Sequence, residues 1–410
     1  MDKSPNNTDV LIIGGGIAGL ALAAILGQAG IRIHIVDPFP PAPLKDTKPS
    51  GRTIALMQGS LNIIRASGVW DKISSHATAM ETMRIIDDSA PGQKTLEVEF
   101  PASDIGLKEF GFNVPNSVLR AALFDKLHTI KNVMLDMPNA LETYEVQDGV
   151  ITASLKDGKT IHARLIVGAD GKKSRVREIA GIGADTHDYG QSAVTCVINH
   201  SRSHNNTSTE FHRPGGPFAL VPLQGNQSSV VWVERSERAE ELKRLKKDEF
   251  IQTLQDATNN ILGGVTLESG PECWPLSSLK AKSLTAPRMA LMAEAAHVMS
   301  PITAQGLNLS LRDVAALAET IADSLRLGLD IGSKAVLDKY EKRRRIDINT
   351  RVFGIDRLNK IVSTDLLPLK DLRRTGLKAV EKIEPLRKLA MQQGLSPHMD
   401  EGRLARGEAL

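Results

Sequence analysis

Residues 10–37, VLIIGGGIAGLALAAILGQAGIRIHIVD, decide the fold class. An apolar run leads into three glycines, small and aliphatic residues then recur at helical spacing, and a second apolar run ends on Asp37. This order predicts a strand, a tight turn, a helix and a second strand, which together form one βαβ unit.

The glycines lie where a bound dinucleotide would need them. Gly14 allows the sharp exit from the strand, Gly16 lets the backbone approach a pyrophosphate, and Gly19 allows close helix packing. The positive end of the helix would then face the diphosphate. Asp37, 23 residues after Gly14, is placed to accept hydrogen bonds from a ribose.

A membrane helix is the alternative for this stretch. Residues 10–31 carry no charge, and Gly15 and Gly19 have the spacing of a membrane-helix contact. Consecutive glycines are unfavourable in any helix, however, and a strand-like run that ends in an acid follows directly. We therefore prefer the nucleotide-binding interpretation.

Composition indicates an ordinary globular chain. Its 410 residues suffice for two or three domains, and 41% of them are hydrophobic and 24% charged. A net charge of +3, without a recognisable motif, argues against nucleic acid as a partner. Cys196 and Cys273 lack disulfide-framework or zinc-site spacing, and the polar start lacks a signal peptide's apolar region. We expect a cytoplasmic protein.

Positive charge is concentrated near the end of the chain. Residues 339–393 hold 15 Lys or Arg against 7 Asp or Glu, a net charge of +8, so the rest of the chain carries −5. Apolar residues among the basic ones predict helices. This segment would pack against its own body or a partner, or contact an anionic membrane surface, which would make the protein peripheral to the inner face of the membrane.

Two further stretches predict loops at the ends of strands. In residues 163–177, ARLIVGADGKKSRVR, a buried strand ends at Asp170, and Ser174 begins a helix. In residues 289–320 a strand precedes a loop that contains Pro301, and a helix begins near Gln305. The amides at the start of that helix would favour negative charge over the loop.

The three stretches together resemble the flavoprotein aromatic hydroxylases. That family has an N-terminal GxGxxG unit, a central DGxxSxVR motif and a late GDxxHxxxPxxGQGxN motif. Here they are GGGIAG at residues 14–19, DGKKSRVR at 170–177, and AEAAH at 293–297 followed by Pro301, Gln305, Gly306, Asn308 and Asp313. The chain is most similar to the UbiH/UbiF branch, the ubiquinone-biosynthesis hydroxylases, in PITAQGLNLSLRDVAALAE, in the strands near GPFALVPL and in the basic segment.

The resemblance implies an α/β fold. A Rossmann-like FAD-binding domain of hydroxybenzoate-hydroxylase type, residues 1–79, 115–180 and 281–345, would be interleaved with a mainly antiparallel β-sheet substrate domain, residues 80–114 and 181–280. Residues 346–410 would form a C-terminal basic helical segment.

The resemblance also implies FAD as cofactor, with NADH, NADPH or another electron donor as reductant. A flavin hydroperoxide would hydroxylate the ring of a polyprenylated phenol, with molecular oxygen as co-substrate, within a quinone-biosynthesis complex. The implied cofactor contacts are Gly14, Gly16, Ile17, Ala18, Gly19, Asp37, Arg52, Arg120, Asp170, Glu294, Pro301, Gln305, Gly306, Leu307 and Asn308.

One departure from the family pattern affects FAD binding. Ala293 and Glu294 replace the Gly-Asp pair, and the glutamate is one methylene longer. No side chain is predicted to be catalytic, and we expect His297 to pack structurally. Two other functions stay open: hydroxylation of a soluble aromatic compound, and a scaffold that has lost flavin.

Overall fold

The computed structural model describes residues 7–47, 52–88, 95–213, 215–300, 305–362, 367–395 and 402–410. Its strands are β1 Asn7–Ile13, β2 Ile33–Val36, β3 Thr53–Met57, β4 Thr78–Met80, β5 Thr82–Asp87, β6 Leu96–Pro101, β7 Gly111–Pro115, β8 Val133–Asp136, β9 Leu141–Gln147, β10 Val150–Leu155, β11 Thr160–Gly168, β12 Ala184–His200, β13 Thr207–Arg213, β14 Gly216–Pro222, β15 Gln227–Arg235, β16 Val265–Ala281, β17 Thr285–Ala286, β18 Met289–Leu291 and β19 His297–Val298.

The α-helices of the described residues are α1 Ile17–Gln28, α2 Gln58–Ala66, α3 Trp70–Ile73, α4 Asn116–Leu127, α5 Arg175–Ile179, α6 Ser236–Arg244, α7 Lys247–Ala257, α8 Gln305–Arg326, α9 Lys334–Val362, α10 Leu367–Lys382 and α11 Glu384–Leu395. None of them is long and apolar enough to cross a membrane.

The first sheet carries the predicted βαβ unit. Its strands lie in the order β17-β18-β11-β1-β2-β8, and β10 and β9 extend it from β11. β18, β11, β1, β2 and β8 run parallel. The apolar runs at residues 10–13 and 165–167 are buried, as expected for strands covered on both faces. α1 is buried over residues 17–27 because it packs against α4 and α8.

The second sheet joins two separated parts of the chain. Its order is β19-β16-β12-β15-β14-β13-β5-β6, so that residues 82–101 lie beside strands from residues 184–281. Every pair in it is antiparallel except β13 with β5. The predicted fold, a Rossmann-like sheet interleaved with a mainly antiparallel one, is confirmed. The residue boundaries stay a prediction, and the one between 345 and 346 falls inside α9.

The C-terminal helices attach to both sheets. From α9, Glu341 accepts hydrogen bonds from Ser283 and Thr285 near the first sheet, and Asn359 donates to Gln191 of β12. In α10, the Nε of Arg373 donates to the buried carboxylate of Asp87 at the end of β5 over 2.8 Å. The helical segment therefore packs against its own body.

Candidate functional site

The predicted loops meet at one edge of the first sheet. Ile13, the last residue of β1, is level with Val36 of β2 and with Gly168 of β11. Gly168 is in turn level with Leu291 of β18. Since parallel strands end at the same edge, the turns that follow these residues lie side by side. The GGGIAG, Asp37, DGKKSRVR and AEAAH segments thereby form one site.

The glycine turn is tight in two places and open in one. A Cβ on Gly14, whose φ is +118°, would lie 2.2 Å from the carbonyl oxygen of Ala169, and one on Gly19 would lie 2.0 Å from that of Gly14. A Cβ on Gly16 would meet no atom within 4 Å. Close packing therefore explains Gly14 and Gly19, whereas open space in front of Gly16 suits the approach of a ligand.

Asp37 and Arg120 brace this turn. One carboxylate oxygen of Asp37 accepts from the amide of Gly15 over 2.6 Å, and the other accepts from the amide of Phe39 over 2.7 Å. Arg120 donates to the carbonyl oxygens of Gly15 and Phe39 over 2.7 and 2.5 Å. Each Asp37 oxygen keeps a further lone pair for a ligand hydroxyl.

Asp170 has an unsatisfied carboxylate oxygen. Its Oδ2 accepts from the amides of Arg175 and Val176 over 2.7 and 3.1 Å. Its buried Oδ1 has no hydrogen-bond partner among the described residues. Burial raises the pKa of Asp170, although these amide hydrogen bonds and one with Ser174 oppose the shift. A buried acceptor without a donor is what a hydroxyl-bearing ligand would complete.

The AEAAH turn departs from the family at a strained position. Ala293 has a φ of +55°, a conformation that glycine adopts more easily. Its amide donates to the Oδ2 of Asp313 over 2.9 Å, which fixes the turn. Glu294 follows with its side chain exposed. Pro301 lies outside the described residues.

The start of α8 completes the site. Gly306 is open, because a Cβ there would meet no atom within 4 Å, and Leu307 is half-buried. The side-chain amide of Asn308 accepts from the backbone N–H of Met57 over 3.1 Å and donates to the carbonyl of Ala55 over 2.8 Å. The side-chain amide of Asn308 therefore holds β3 against the start of α8.

β16 borders the site, and this involvement of β16 was not predicted from the sequence. The exposed guanidinium of Arg52 lies 5.0 Å from the ring centre of Trp274, a cation–π contact. Lys172 of the DGKKSRVR segment donates to the hydroxyl of Ser277. Both contacts join the edge of the first sheet that carries the motif loops to the second sheet. Neither Trp274 nor Ser277 belongs to a motif.

Buried charges lie behind the AEAAH turn and α8. The Nε2 of His297 lies 2.6 Å from the Oδ2 of Asp313, and the Nε of Arg344 donates to the Oδ1 of Asp313 over 2.7 Å. Burial alone would raise the pKa of Asp313, but His297 and Arg344 more than offset it and lower the pKa to about 2. His297 is 2% exposed, in agreement with a structural role. Arg344 could not be found from the motifs.

These features fit a dinucleotide. Open space in front of Gly16 and Gly306, the unpartnered oxygen of Asp170, and the amides at the starts of α1 and α8 suit a diphosphate and sugar hydroxyls. A family model described as FAD binding domain matches residues 7–352. The fold and the site thus define a flavoprotein monooxygenase that binds FAD, for which NADH or NADPH is the typical reductant.

Relatives with similar sequences narrow this class. Ubiquinone hydroxylase UbiL of Rhodospirillum rubrum is 35% identical over 387 residues, which cover 94% of this chain and 89% of the relative. The 3-demethoxyubiquinol 3-hydroxylase of Escherichia coli is 32% identical over 390 residues, which cover 95% and 98%. The chain belongs to the family of FAD-dependent ubiquinone hydroxylases, and the resemblance stated above is confirmed.

A solved structure shows the same fold. The p-nitrophenol 4-monooxygenase PnpA of Pseudomonas putida DLL-E4 aligns with a TM-score of 0.78 and covers 96% of this chain and 99% of its own. Its sequence identity of 17% limits this likeness to the fold.

Proposed function

We propose that this protein hydroxylates the aromatic ring of a polyprenylated phenol in ubiquinone biosynthesis, with molecular oxygen as co-substrate. The observation that carries the proposal is the likeness to ubiquinone hydroxylase UbiL along 94% of this chain. The gathering of all motif loops at one sheet edge supports it, because a single flavin would contact all of them.

The residues of this edge would hold the cofactor. When bound, FAD supplies oxygen activation once it has been reduced. We propose that Gly14, Gly16, Ile17, Ala18 and Gly19 bind the diphosphate and that Asp37 binds the adenosine ribose. Asp170, Arg52, Arg120 and Glu294 would contact the ribityl chain and the diphosphate, and Pro301, Gln305, Gly306, Leu307 and Asn308 the flavin ring.

An apolar cluster near the start of α8 suits an isoprenoid tail. It links β3, which Asn308 holds, with the strands β4 and β6 and with α11, and its buried members are Ala55, Met57, Met80, Leu96, Val98, Phe100, Ala102, Phe110 and Met391. Methionine side chains are flexible and adapt to an apolar ligand. We propose that the prenyl tail lies along this cluster.

The proposed function can be tested with a substitution that should block FAD binding without disturbing the fold. Gly16→Ala places a methyl group in open space, so the chain should fold while the diphosphate is blocked. A matched control is Gly354→Ala, since Gly354 is equally open but lies in α9.

In a strain that lacks this gene, mass spectrometry should show a prenylated intermediate that lacks one hydroxyl group. The wild type and Gly354→Ala should remove it, and Gly16→Ala should not. Accumulation of a soluble aromatic compound would favour the alternative hydroxylase, and a purified protein that takes up no FAD would favour the scaffold.

We also propose a membrane contact. Some of the basic residues of the C-terminal segment cannot take part in it, because they form buried ion pairs. Arg373 and Arg374 pair with buried Asp87, so their charge is not available to a surface. The outer face of α9 exposes Ile346 by 59% and Phe353 by 57%, and Arg357 lies 4.0 Å from the Phe353 ring centre. We propose that this face contacts anionic lipid.

Flotation with anionic liposomes checks the membrane contact. Serine at positions 346 and 353 should abolish flotation, whereas Leu327→Ser, at a residue 71% exposed elsewhere, should not. Unchanged flotation of the double variant would contradict the contact. From the resemblance alone we also propose that the protein works within a quinone-biosynthesis complex.

A further inference from the structure

Five charged side chains lie between α8 and α9 and hold a surplus of positive charge. We call Arg312, Asp313, Arg344, Asp347 and Arg351 the arginine cluster. Their side chains are 17%, 0%, 4%, 9% and 9% exposed, respectively. Three guanidinium groups face two carboxylates, so the cluster carries one uncompensated positive charge in a poorly solvated region.

The hydrogen bonds show where the surplus lies. Arg344 donates to Asp313 and to Asp347, each over 2.7 Å, and Arg351 donates to Asp347 over 3.0 Å. The Nε of Arg312 forms an ion pair with the Oδ2 of Asp347 over 3.1 Å, but neither this Nε nor the Nη2 has the geometry of a hydrogen bond with any described residue. Burial lowers the pKa of Arg312 to about 9, which is still well above neutral pH. Arg312 is therefore the least compensated cation of the cluster.

The cluster touches both turns proposed to face the flavin. Asp313 accepts from the amide of Ala293 in the turn that carries Glu294. Arg351 donates to the side-chain oxygen of Gln305, the first residue of α8, over 2.6 Å. The positive charge thus lies behind the N-terminus of α8, where the backbone amides carry partial positive charge. The electrostatic potentials of the cluster and of the helix N-terminus therefore add.

We propose that the arginine cluster fixes these two turns and that its surplus charge favours the reduced, anionic flavin over the oxidised one. Arg312 and Arg351 are then positioning residues that act on the cofactor through α8. The inference rests on the proposed cofactor site, and it assigns the control of the reduction potential to the buried charges between α8 and α9.

Two changes at one residue separate charge from packing. Arg312→Met removes the charge and keeps an unbranched side chain, while Arg312→Lys keeps the charge. Arg343→Met is the matched control, because Arg343 lies on α9 next to Arg344 of the cluster but pairs with Glu319 of α8 over 2.9 Å. The readouts are the flavin reduction potential by dye equilibration, the affinity for oxidised FAD, and thermal unfolding of the FAD-free protein.

We expect Arg312→Met to weaken reduced FAD relative to oxidised FAD about tenfold, a fall of about 30 mV for a two-electron couple. Arg312→Lys should restore most of the potential, and Arg343→Met should leave it unchanged. If Arg312→Met does not fold, Arg351→Met should lower the potential in the same direction. An unchanged potential in the charge-removing variant, or an equal fall in Arg343→Met, would overturn the inference alone. A wild type that takes up no flavin would overturn the proposed function as well.

Discussion

The carboxylate of Asp37 accepts a hydrogen bond of 2.6 Å from the backbone amide of Gly15, which lies 22 residues earlier in the chain. This bond ties the end of β2 to the turn after β1. Because Arg120 also donates to Gly15 and lies 3.5 Å from Asp37, side chains of the protein hold the turn from two sides.

Asp37→Asn should weaken FAD binding. The change removes the negative charge and one of two acceptors, and a hydrogen bond to a charged group contributes about 1.5–3 kcal/mol. We expect at least a tenfold rise in the FAD dissociation constant, measured by flavin fluorescence. Asp46→Asn, at an exposed residue of the following loop, should leave it unchanged, and a similar rise there would contradict the assignment.

Gly306→Ala should separate stability from cofactor binding. Alanine is favoured over glycine within a helix by about 1 kcal/mol, and no atom opposes the new Cβ. Urea unfolding of the FAD-free protein should therefore show a gain, while FAD affinity falls because the methyl group enters the ligand's space. Gly354→Ala should show the gain without the loss. Equal FAD affinity in both variants would place the flavin elsewhere.

Ala293→Gly should stabilise the protein. The left-handed backbone of Ala293, with φ of +55°, costs an alanine about 1–2 kcal/mol, and the flexibility of glycine in the unfolded chain offsets part of this. A gain of about 0.5–1 kcal/mol in the free energy of unfolding follows. Ala295→Gly, in the same turn but without positive φ, should lose stability instead.

Asp313→Asn should destabilise the protein in a pH-dependent way. Removing one partner of a buried ion pair costs about 3–5 kcal/mol at neutral pH. Since the folded-state pKa of Asp313 is lowered from 3.8 to about 2, its contribution is present above the unfolded value and is lost as the pH falls through the folded one. The difference from wild type, measured by urea unfolding, should shrink over that interval.

Asp323→Asn is the control for that experiment. Asp323 pairs with Arg403, but its side chain is 47% exposed, and exposed pairs contribute about 0–1 kcal/mol. If Asp323→Asn lowered the free energy of unfolding as much as Asp313→Asn does, burial would not be the cause of the large effect at Asp313.

Local sequence patterns predicted those elements in which hydrophobic periodicity or glycine spacing is clear. The first βαβ unit and the start of α8 lie where periodicity and glycines placed them. The amphipathic pattern of residues 237–255 predicts a single helix. That prediction is wrong, because Leu245 is extended and α7 begins anew at Lys247. Basic residues end α6 and acidic residues begin α7, which is a signal for two helices.

β16 was missed for a different reason. Its 17 residues include Pro271 and Pro275, which lower strand propensity. Pairing with β12 along most of its length supplies what the local pattern lacks. Long-range pairing of this kind leaves no periodic trace in a single sequence.

The residues of the site also fall into those that local patterns predict and those that only long-range contacts bring in. Residues within the motifs were expected, because glycine turns and strand-end acids have recognisable spacing. Trp274 and Arg351 make contacts with distant segments, and nothing in the neighbouring sequence indicates those contacts. The link from Arg351 to Gln305 spans 46 residues.

The most direct test of the account follows the oxygen atom. The purified protein, reconstituted with FAD, would be given NADH or NADPH and a polyprenylated phenol under isotopically heavy molecular oxygen, and the product analysed by mass spectrometry. The account predicts one heavy oxygen on the ring of the product, with no product from Gly16→Ala. Oxidation of the reductant without heavy oxygen in the phenol, or product formation by protein that holds no flavin, would contradict it.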